Sequence, residues 1–312
     1  MSNFDHLDLD GHALRLLLTV AEEGSVTRAA ARLDCTQSAV SHALDKLREI
    51  TGDPLFVRSG RGIVATAQAA VPARRARLLL DDLRAFSQAA GFEPSRLSGP
   101  FTVAANDLQR DLLLPPLLRR LRAQAPELTL RVIPSGAPRA LLLRDGGCDL
   151  LITPRPPDAS DIVHRRLFED RYRVFFDAGH RAAPADRAAW LSAEHVTVRY
   201  EDSRSLDIDD VLADRGLARR FVATVPGMAG VAALLQGGPW LATLPSRVAG
   251  GVLRGLANAP VPVPTPRMPM YAVWHRRMHE DPAHRWVRGE LDSVVAALLA
   301  GPEGEVPWPV VS

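Results

Sequence analysis

Four uncharged polar side chains recur at helical spacing in the stretch 37–51. Gln37, Ser38, Ser41 and His42 fall on one face of the expected helix, where a surface helix ordinarily carries Glu and Lys. Short side chains of this kind supply hydrogen-bond donors and acceptors that can approach base edges in the major groove of DNA. The opposite face is apolar and is predicted to be buried: Ala39, Val40, Ala43, Leu44, Leu47 and Ile50.

Basic residues surround this face although the whole chain is nearly neutral. The net charge is +2, whereas residues 25–77 hold nine basic and four acidic residues, a local balance of +5. A local basic patch is the feature that phosphate binding needs. Four of these residues are placed to contact the DNA backbone or the minor groove: Arg28, Lys46, Arg58 and Arg61.

The elements that would position these residues can be traced from capping and turn signals. A first helix spans about 9–23 and ends at Gly24, and Ser25 and Thr36 are the expected N-caps of two further helices. The short helix 26–33 would brace the helix 37–51, as in a helix-turn-helix. Two short strands, 55–57 and 63–64, would then form a hairpin, or wing, that carries Arg58 and Arg61.

A long amphipathic helix is predicted from Thr66 to about Ala90. Its apolar stripe has no evident partner within the chain, so pairing with a second subunit is expected. From residue 100 onward strands alternate with helices, which predicts an α/β region with parallel sheets. About 210 residues suffice for two lobes.

These motifs together resemble LysR-type transcriptional regulators. The resemblance rests on AEEGSVTRAAARLDCTQSAVSHALDKLRE followed by GDPLFVRSGRG, and it continues over nearly the whole chain. The segments EHVTV, PWLATLP and MYAVWHRRMHEDPAHRWVRGEL look most like the subgroup of nodulation regulators and aromatic-acid-responsive regulators.

The resemblance implies a winged helix-turn-helix at 1–65, a dimerisation helix at 66–91 and an effector-binding domain at 92–312. That domain would have the two-lobed fold of periplasmic binding proteins, an α/β architecture. The expected division gives 97–161 and 268–300 to one lobe and 162–267 to the other. Members of the family commonly form homotetramers of two DNA-binding dimers on pseudo-palindromic promoter sites and are often activators. The resemblance therefore implies a homodimer or homotetramer and an activator that can also repress its own gene.

Functional positions carried over from the family form two sets. The DNA-binding set is Ser25, Thr27, Arg28, Gln37, Ser38, Ser41, His42, Lys46, Arg58 and Arg61. The effector set, placed between the lobes, is Asn106, Asp107, Leu108, Ser135, Gly136, Thr153, His195, Tyr200, Pro226, Gly227 and Met228. Helix N-termini in the second set suit a carboxylate, so a carboxylate or an aromatic effector is expected. Asp107 itself is expected to cap a helix.

Several positions depart from the family pattern. Many members carry Pro where Ser38 stands and Arg where His42 stands. Aromatic-acid responders usually carry Ser or Thr in place of Asn106 and His in place of Gly227, although His195 matches. These departures argue against a salicylate-like effector.

Other classes of protein are less well supported. An α/β enzyme is the alternative, but no nucleophile elbow, phosphate loop or dinucleotide motif is present in the sequence. A transport binding protein would require export, and the acidic N-terminus without an apolar core predicts a cytoplasmic protein with no membrane span. His275, His279 and His284 lack a metal-ligand spacing, and Cys35 and Cys148 are expected to be reduced, with a redox-sensing pair as the alternative. No cofactor is expected.

Overall fold

The computed structural model describes residues 9–60, 62–87, 92–136, 139–200 and 207–300. Its first three elements are helices. They are α1 (Gly11–Glu23), α2 (Val26–Arg32) and α3 (Gln37–Thr51). The predicted caps are confirmed. Gly24 ends α1 in the left-handed region at φ 57°, the Ser25 hydroxyl accepts the Arg28 N–H, and the Thr36 hydroxyl accepts the Ala39 N–H at 3.2 Å.

The apolar side of α3 is narrower than predicted. Val40, Leu44 and Leu47 are buried against α1 and α2, as expected. Ala39 is exposed, which corrects its assignment to the buried face. It lies one residue before Val40, and a rotation of 100° per residue turns it toward the solvent side.

A two-stranded antiparallel hairpin follows α3. Strands β1 (Phe56–Ser59) and β2 (Gly62–Ala65) pair with Ser59 opposite Gly62, so the connection between them is tight. The Ile63 N–H donates to the Gly24 carbonyl at 3.0 Å, which ties the wing to the end of α1. A Cβ at Gly62 would lie 2.9 Å from that carbonyl oxygen, so the close approach requires glycine.

Helix α4 (Ala70–Ser87) packs against α1 in the same compact unit. Ala69 and Ala76 are buried and Leu80 is half-buried, which corrects the expectation that the stripe lacks a partner within the chain. Leu79 and Leu83 remain 51% exposed on this helix. One part of the stripe therefore contacts α1, and another part faces solvent.

The second compact unit contains nearly all of the chain from Glu93 onward. Its helices are α5 (Asp107–Gln124), α6 (Ala140–Arg144), α7 (Arg187–Ser192), α8 (Asp207–Ala213), α9 (Met228–Leu235) and α10 (Pro282–Ala300). Its strands are β3 (Gly99–Ala104), β4 (Leu128–Ile133), β5 (Leu150–Thr153), β6 (Ile162–Asp170), β7 (Tyr172–Phe176), β8 (Glu194–Val198), β9 (Arg220–Val225), β10 (Ala242–Pro245), β11 (Ala257–Pro260) and β12 (Met268–His275).

Lobe I is built on a five-stranded sheet with the order β4-β3-β5-β12-β6. Strands β3, β4 and β5 are parallel, but β12 runs antiparallel to both β5 and β6, so the sheet is mixed rather than parallel. Because all of β6 pairs with β12, the chain leaves lobe I after Asp170 and returns at Met268. This corrects the expected boundary at residue 162.

Lobe II spans residues 171–267 and combines antiparallel and parallel pairing. Strand β7 lies between β10 and β11, both antiparallel to it, and β8 pairs with β9 in parallel. A bridge between His195 and Leu241 joins the two groups of strands. Phe175 and Trp190 are fully buried in the core. Among the residues that the structure describes, none of the helices has the length and apolar character needed to cross a membrane.

Candidate functional site

The polar face of α3 is open to solvent over an apolar underside. Gln37, Ser38 and His42 are exposed and Ser41 is half-buried. Because Val40, Leu44 and Leu47 pack inward, the helix cannot turn this face away without exposing its core residues. The predicted donors and acceptors therefore lie together on an accessible helix.

The beginning of α2 lies beside this face. The Thr27 hydroxyl donates to the Gln37 side-chain oxygen at 3.4 Å, which joins the first residues of α2 and α3. The Ser25 hydroxyl is occupied by its capping bond. The Arg28 guanidinium forms an ion pair with Glu23 at 3.5 Å, yet its side chain is 66% exposed and can reach an external phosphate.

Two further predicted contacts to DNA are cations on α3 and on the wing. Lys46 on α3 is half-buried, and Arg58 on the wing is exposed. Arg58 stands opposite Ile63 in the hairpin, and the Ile63 backbone is bound to Gly24. Arg61, the remaining predicted contact, lies outside the described residues.

The predicted effector residues converge at the carboxyl ends of strands. Asn106, Asp107 and Leu108 follow β3, Ser135 and Gly136 follow β4, and Thr153 ends β5, all in lobe I. Tyr200 follows β8, and Pro226, Gly227 and Met228 join β9 to α9, all in lobe II. The carboxyl edges of open α/β sheets are where ligands of such folds bind.

Side-chain contacts in lobe I hold its edge of the cleft. The Asn106 side-chain oxygen accepts the Ser135 N–H at 3.2 Å, and the Thr153 hydroxyl accepts the Arg155 N–H at 3.2 Å. The Arg155 guanidinium in turn lies 3.4 Å from the Asp210 carboxylate on α8. Neither Arg155 nor Asp210 belongs to a sequence motif. Their pairing depends on how the two lobes meet, which the sequence does not show.

A short hydrogen bond joins the two lobes at Asp107. Its Oδ2 accepts the N–H of Met228, the first residue of α9, at 2.6 Å. Asn106 occupies the N-cap position of α5, so Asp107 caps a helix of the other lobe rather than its own, which corrects the sequence expectation. Burial and the nearby Asp107 charge raise the pKa of Tyr200, while a hydrogen bond from the Asp107 backbone opposes them.

His195 lies near the beginning of β8, and its place in the effector set stays a prediction. It is the second residue of β8, whereas Tyr200 follows the other end of that strand. The ring is fully buried, and its Nε2 lies 2.7 Å from the Trp190 carbonyl. Burial lowers the pKa of His195 to about 4, so the imidazole is neutral.

Two cavities lie near the junction of the lobes. The one beside Asp107 measures about 20 Å³, enough for about one water molecule, and is walled mainly by Leu108, Leu112, Met228, Val248 and Val252. The other measures about 790 Å³ and is lined by charged and polar groups that include Arg171, Arg173, Arg247 and Arg267. The sequence did not predict the arginines of the larger cavity or the valines of the smaller one, because these residues lie on segments without a recognisable motif.

The remaining candidate ligands have local partners. His275 lies 3.2 Å from Asp161, His279 stacks on Trp274, and buried His284 contacts the Asp149 carbonyl at 2.9 Å and Arg288 at 2.6 Å. Within the described residues, no group of three or more His, Cys, Asp or Glu side chains has a metal-binding arrangement. Cys148 is buried, and burial raises the pKa of its thiol to about 12.

Known proteins match both parts of the chain. A model of the bacterial regulatory helix-turn-helix protein, lysR family, matches residues 12–70, and a model of the LysR substrate binding domain matches residues 94–296. The HTH-type transcriptional regulator SyrM of Rhizobium meliloti (strain 1021) is 31% identical over 96% of this chain and 92% of its own. The HTH-type transcriptional activator NahR of Pseudomonas putida is 30% identical over 90% of this chain and 96% of its own.

A solved structure agrees in fold over the same length. The probable transcriptional regulator PA0477 from Pseudomonas aeruginosa superposes with a TM-score of 0.74 at 29% identity, covering 91% of this chain and 97% of that one. Regulators, not enzymes, are what this chain is similar to, which decides against the enzyme alternative. The chain belongs to the LysR family of transcriptional regulators, with a helix-turn-helix DNA-binding domain and a two-lobed substrate-binding domain.

Proposed function

We propose that the polar face of α3 reads base edges while cations around it hold the phosphates. The observation that carries this is the exposure of Gln37, Ser38 and His42 on a helix whose other side is locked into the core. Uncharged donors and acceptors discriminate bases, whereas Arg28, Lys46 and Arg58 contribute attraction that does not depend on sequence.

Two copies of the chain bind one pseudo-palindromic promoter site. Leu79 and Leu83 on α4 are each 51% exposed and lie one helical turn apart, so a second α4 could cover them. Two recognition helices about one DNA turn apart would then read two half-sites. Further pairing would give the homotetramer expected from the family resemblance.

A small effector in the cleft of the second domain regulates this DNA binding. The carboxyl edges of β3, β4, β5, β8 and β9 meet there, and lobe contacts such as Arg155–Asp210 would change if the lobes moved. An effector shifts the population only when it favours one arrangement of the lobes. The resulting regulator acts in the cytoplasm as an activator that also represses its own gene.

The experiment is a binding titration of the full-length protein on duplex DNA from upstream of its own gene. We expect a preference of at least 100-fold over a random duplex, together with a steep loss of affinity as salt rises. Equal affinity for both duplexes would overturn the proposed function. A duplex of the same composition with a scrambled order serves as the matched control.

A further inference from the structure

The carboxylate of Asp107 sits where an anionic ligand of the cleft would bind. Its Oδ2 accepts the Met228 N–H at 2.6 Å, at the N-terminus of α9, although the two residues are 121 positions apart. Gly227, the N-cap of α9, has no side chain to satisfy that end of the helix. Asp107 is buried, so this contact lies inside the closed cleft rather than at its rim.

Positive partners surround this one carboxylate. Asp107 lies in the first turn of α5, and its carboxylate contacts the N-terminus of α9. The N-termini of both helices carry partial positive charge. The guanidinium of Arg110 lies 3.0 Å from the other carboxylate oxygen, Oδ1. Both oxygens of Asp107 are therefore engaged, one in each lobe.

Gly227 is shaped to the same carboxylate. A Cβ at this position would lie 2.7 Å from Asp107 Oδ2, closer than unbonded atoms tolerate. Its φ of −165° is ordinary extended backbone, so the absence of a side chain serves the approach of Asp107 and not the conformation of the chain. A larger residue at 227 would push the carboxylate off the Met228 N–H.

Little room remains beside the contact. The adjoining cavity of about 20 Å³ is walled mainly by aliphatic side chains and Met228, and its charged lining is Asp107, Asp111 and Arg247. Arg110 and Arg247 balance the charges of Asp107 and Asp111 there, so an incoming carboxylate finds no unpaired cation and would have to displace Asp107 from the Met228 N–H. An uncharged molecule with an apolar body needs no such displacement.

We propose that Asp107 is a tethered carboxylate that occupies the anion position of the cleft and excludes carboxylate effectors from it. This inference rests on the proposed function and narrows it, because the effector must then be uncharged where it meets α9. Asp107 acts as a specificity-determining residue, and Gly227 is the position that admits it. The expectation of a carboxylate effector is thereby replaced.

The test is chemical rescue of the full-length Asp107→Ala variant by sodium acetate. Removing the side chain leaves the Met228 N–H without its acceptor, so we expect the melting temperature of the variant to fall by several degrees. At 50 mM, acetate should restore at least half of that loss relative to sodium chloride of equal concentration. The wild-type protein should show no acetate-specific shift, because its position is filled.

Controls separate this site from other anion sites. Asp111→Ala removes the same charge one turn along α5 and should not be rescued by acetate. The arginine-lined cavity is present in all variants, so acetate bound there would stabilise wild type equally. If Asp107→Ala does not fold, Asp107→Ser is used with the same expected rescue.

A rescue no larger than that of wild type or Asp111→Ala would overturn the inference. Stabilisation of wild type by acetate but not by chloride would also overturn the inference, since the Met228 N–H would then be open to an external anion. DNA binding is measured on the same preparations against the upstream and scrambled duplexes. If acetate fails to rescue Asp107→Ala while wild type still prefers the upstream duplex, only the role of Asp107 is rejected. If wild type itself shows no preference for the upstream duplex, the proposed function is rejected.

Discussion

The DNA-reading face and the cleft are built in opposite ways. The reading face takes its side chains from one short stretch, and the Thr27–Gln37 bond that links α2 to α3 spans ten residues. The cleft takes its side chains from five separate strand ends, and its central bond, Asp107 to Met228, spans 121 residues. Local contacts assemble the first site and only the packed domain assembles the second.

The two regions also use charge differently. On the reading face, the uncharged side chains Gln37, Ser38 and His42 and the cations Arg28 and Arg58 are exposed to solvent. In the cleft the carboxylate that joins the lobes, Asp107, is buried, and charges interact strongly where water is excluded. We therefore expect substitutions on the reading face to change selectivity, and changes of charge in the second domain to alter stability.

The largest effect on DNA binding is expected from disrupting the proposed dimer contact on α4. Leu79→Glu combined with Leu83→Glu places charges on the exposed part of α4 and should convert dimers to monomers. Loss of the second half-site should weaken DNA binding by about 100-fold or more, the order of the gap between specific and non-specific binding. Light scattering and a DNA titration measure both. The matched control, Leu118→Glu, charges a leucine on α5 that is 41% exposed, and a dimer that survives the α4 changes would contradict this assignment.

Acidification should destabilise the second domain selectively. Burial lowers the pKa of both His195 and His284 to about 4, against 6.5 in an unfolded chain. Their neutral forms stabilise the fold above pH 6.5, and this contribution is lost as pH falls from 6.5 toward 4. Between pH 7 and pH 5 we expect a loss of about 2 kcal/mol in the free energy of unfolding for each histidine.

Denaturant titrations followed by tryptophan fluorescence test this, because all five tryptophans lie in the chain after residue 92. The His195→Gln variant should lose about half of the combined pH dependence. The exposed histidines of the first domain, His12 and His42, provide the comparison. Should His12→Gln reduce the pH dependence as much as His195→Gln does, burial is not the cause.

Selectivity should depend on the centre of the reading face. Replacing Gln37 and Ser41 by Ala removes base-edge partners without changing charge, so the preference for the upstream duplex over the scrambled one should fall about tenfold or more. Affinity for the scrambled duplex should change little. Competition titrations on both duplexes measure the two quantities, and an equal loss on both would show that these residues do not read bases.

A smaller and uniform effect is expected from the wing. Arg58→Ala should weaken binding about fivefold on both duplexes and reduce the slope of log affinity against log salt by about one. The matched control is Arg220→Ala, an exposed arginine at the start of β9 in the second domain, which should leave both values unchanged. A change of selectivity in Arg58→Ala would place this residue at a base edge instead.

The smallest effect is expected from thiol chemistry, with one cysteine in each domain. Burial raises the pKa of Cys148 to about 12, so its thiolate is almost absent at neutral pH and alkylation of the folded protein should be negligible there. Cys35 is half-buried and should react first. Mass spectrometry after iodoacetamide treatment distinguishes them, and labelling of Cys148 as fast as Cys35 would restore it as a redox candidate.

Several features of this protein followed from residue order alone. The stop at Gly24, the caps Ser25 and Thr36 and the wing hairpin were predictable because each depends on contacts within a few residues. The apolar spacing of Val40, Leu44 and Leu47 set which way α3 turns, and with it the exposure of its polar face. The positions of Tyr200 and Gly227 beside the cleft were implied by the family resemblance, and both residues follow strands in the structure.

Other features were decided only when distant segments packed. Periodicity could not show that α4 contacts α1, that β6 belongs to the sheet of lobe I, or that His195 is fully buried. Asp107 is of a residue type that commonly caps its own helix, and nothing near it in the chain indicates that its partner is Met228. Short-range hydrogen bonds and side-chain periodicity are properties of a sequence, whereas the choice among distant partners depends on how all the buried surfaces fit together.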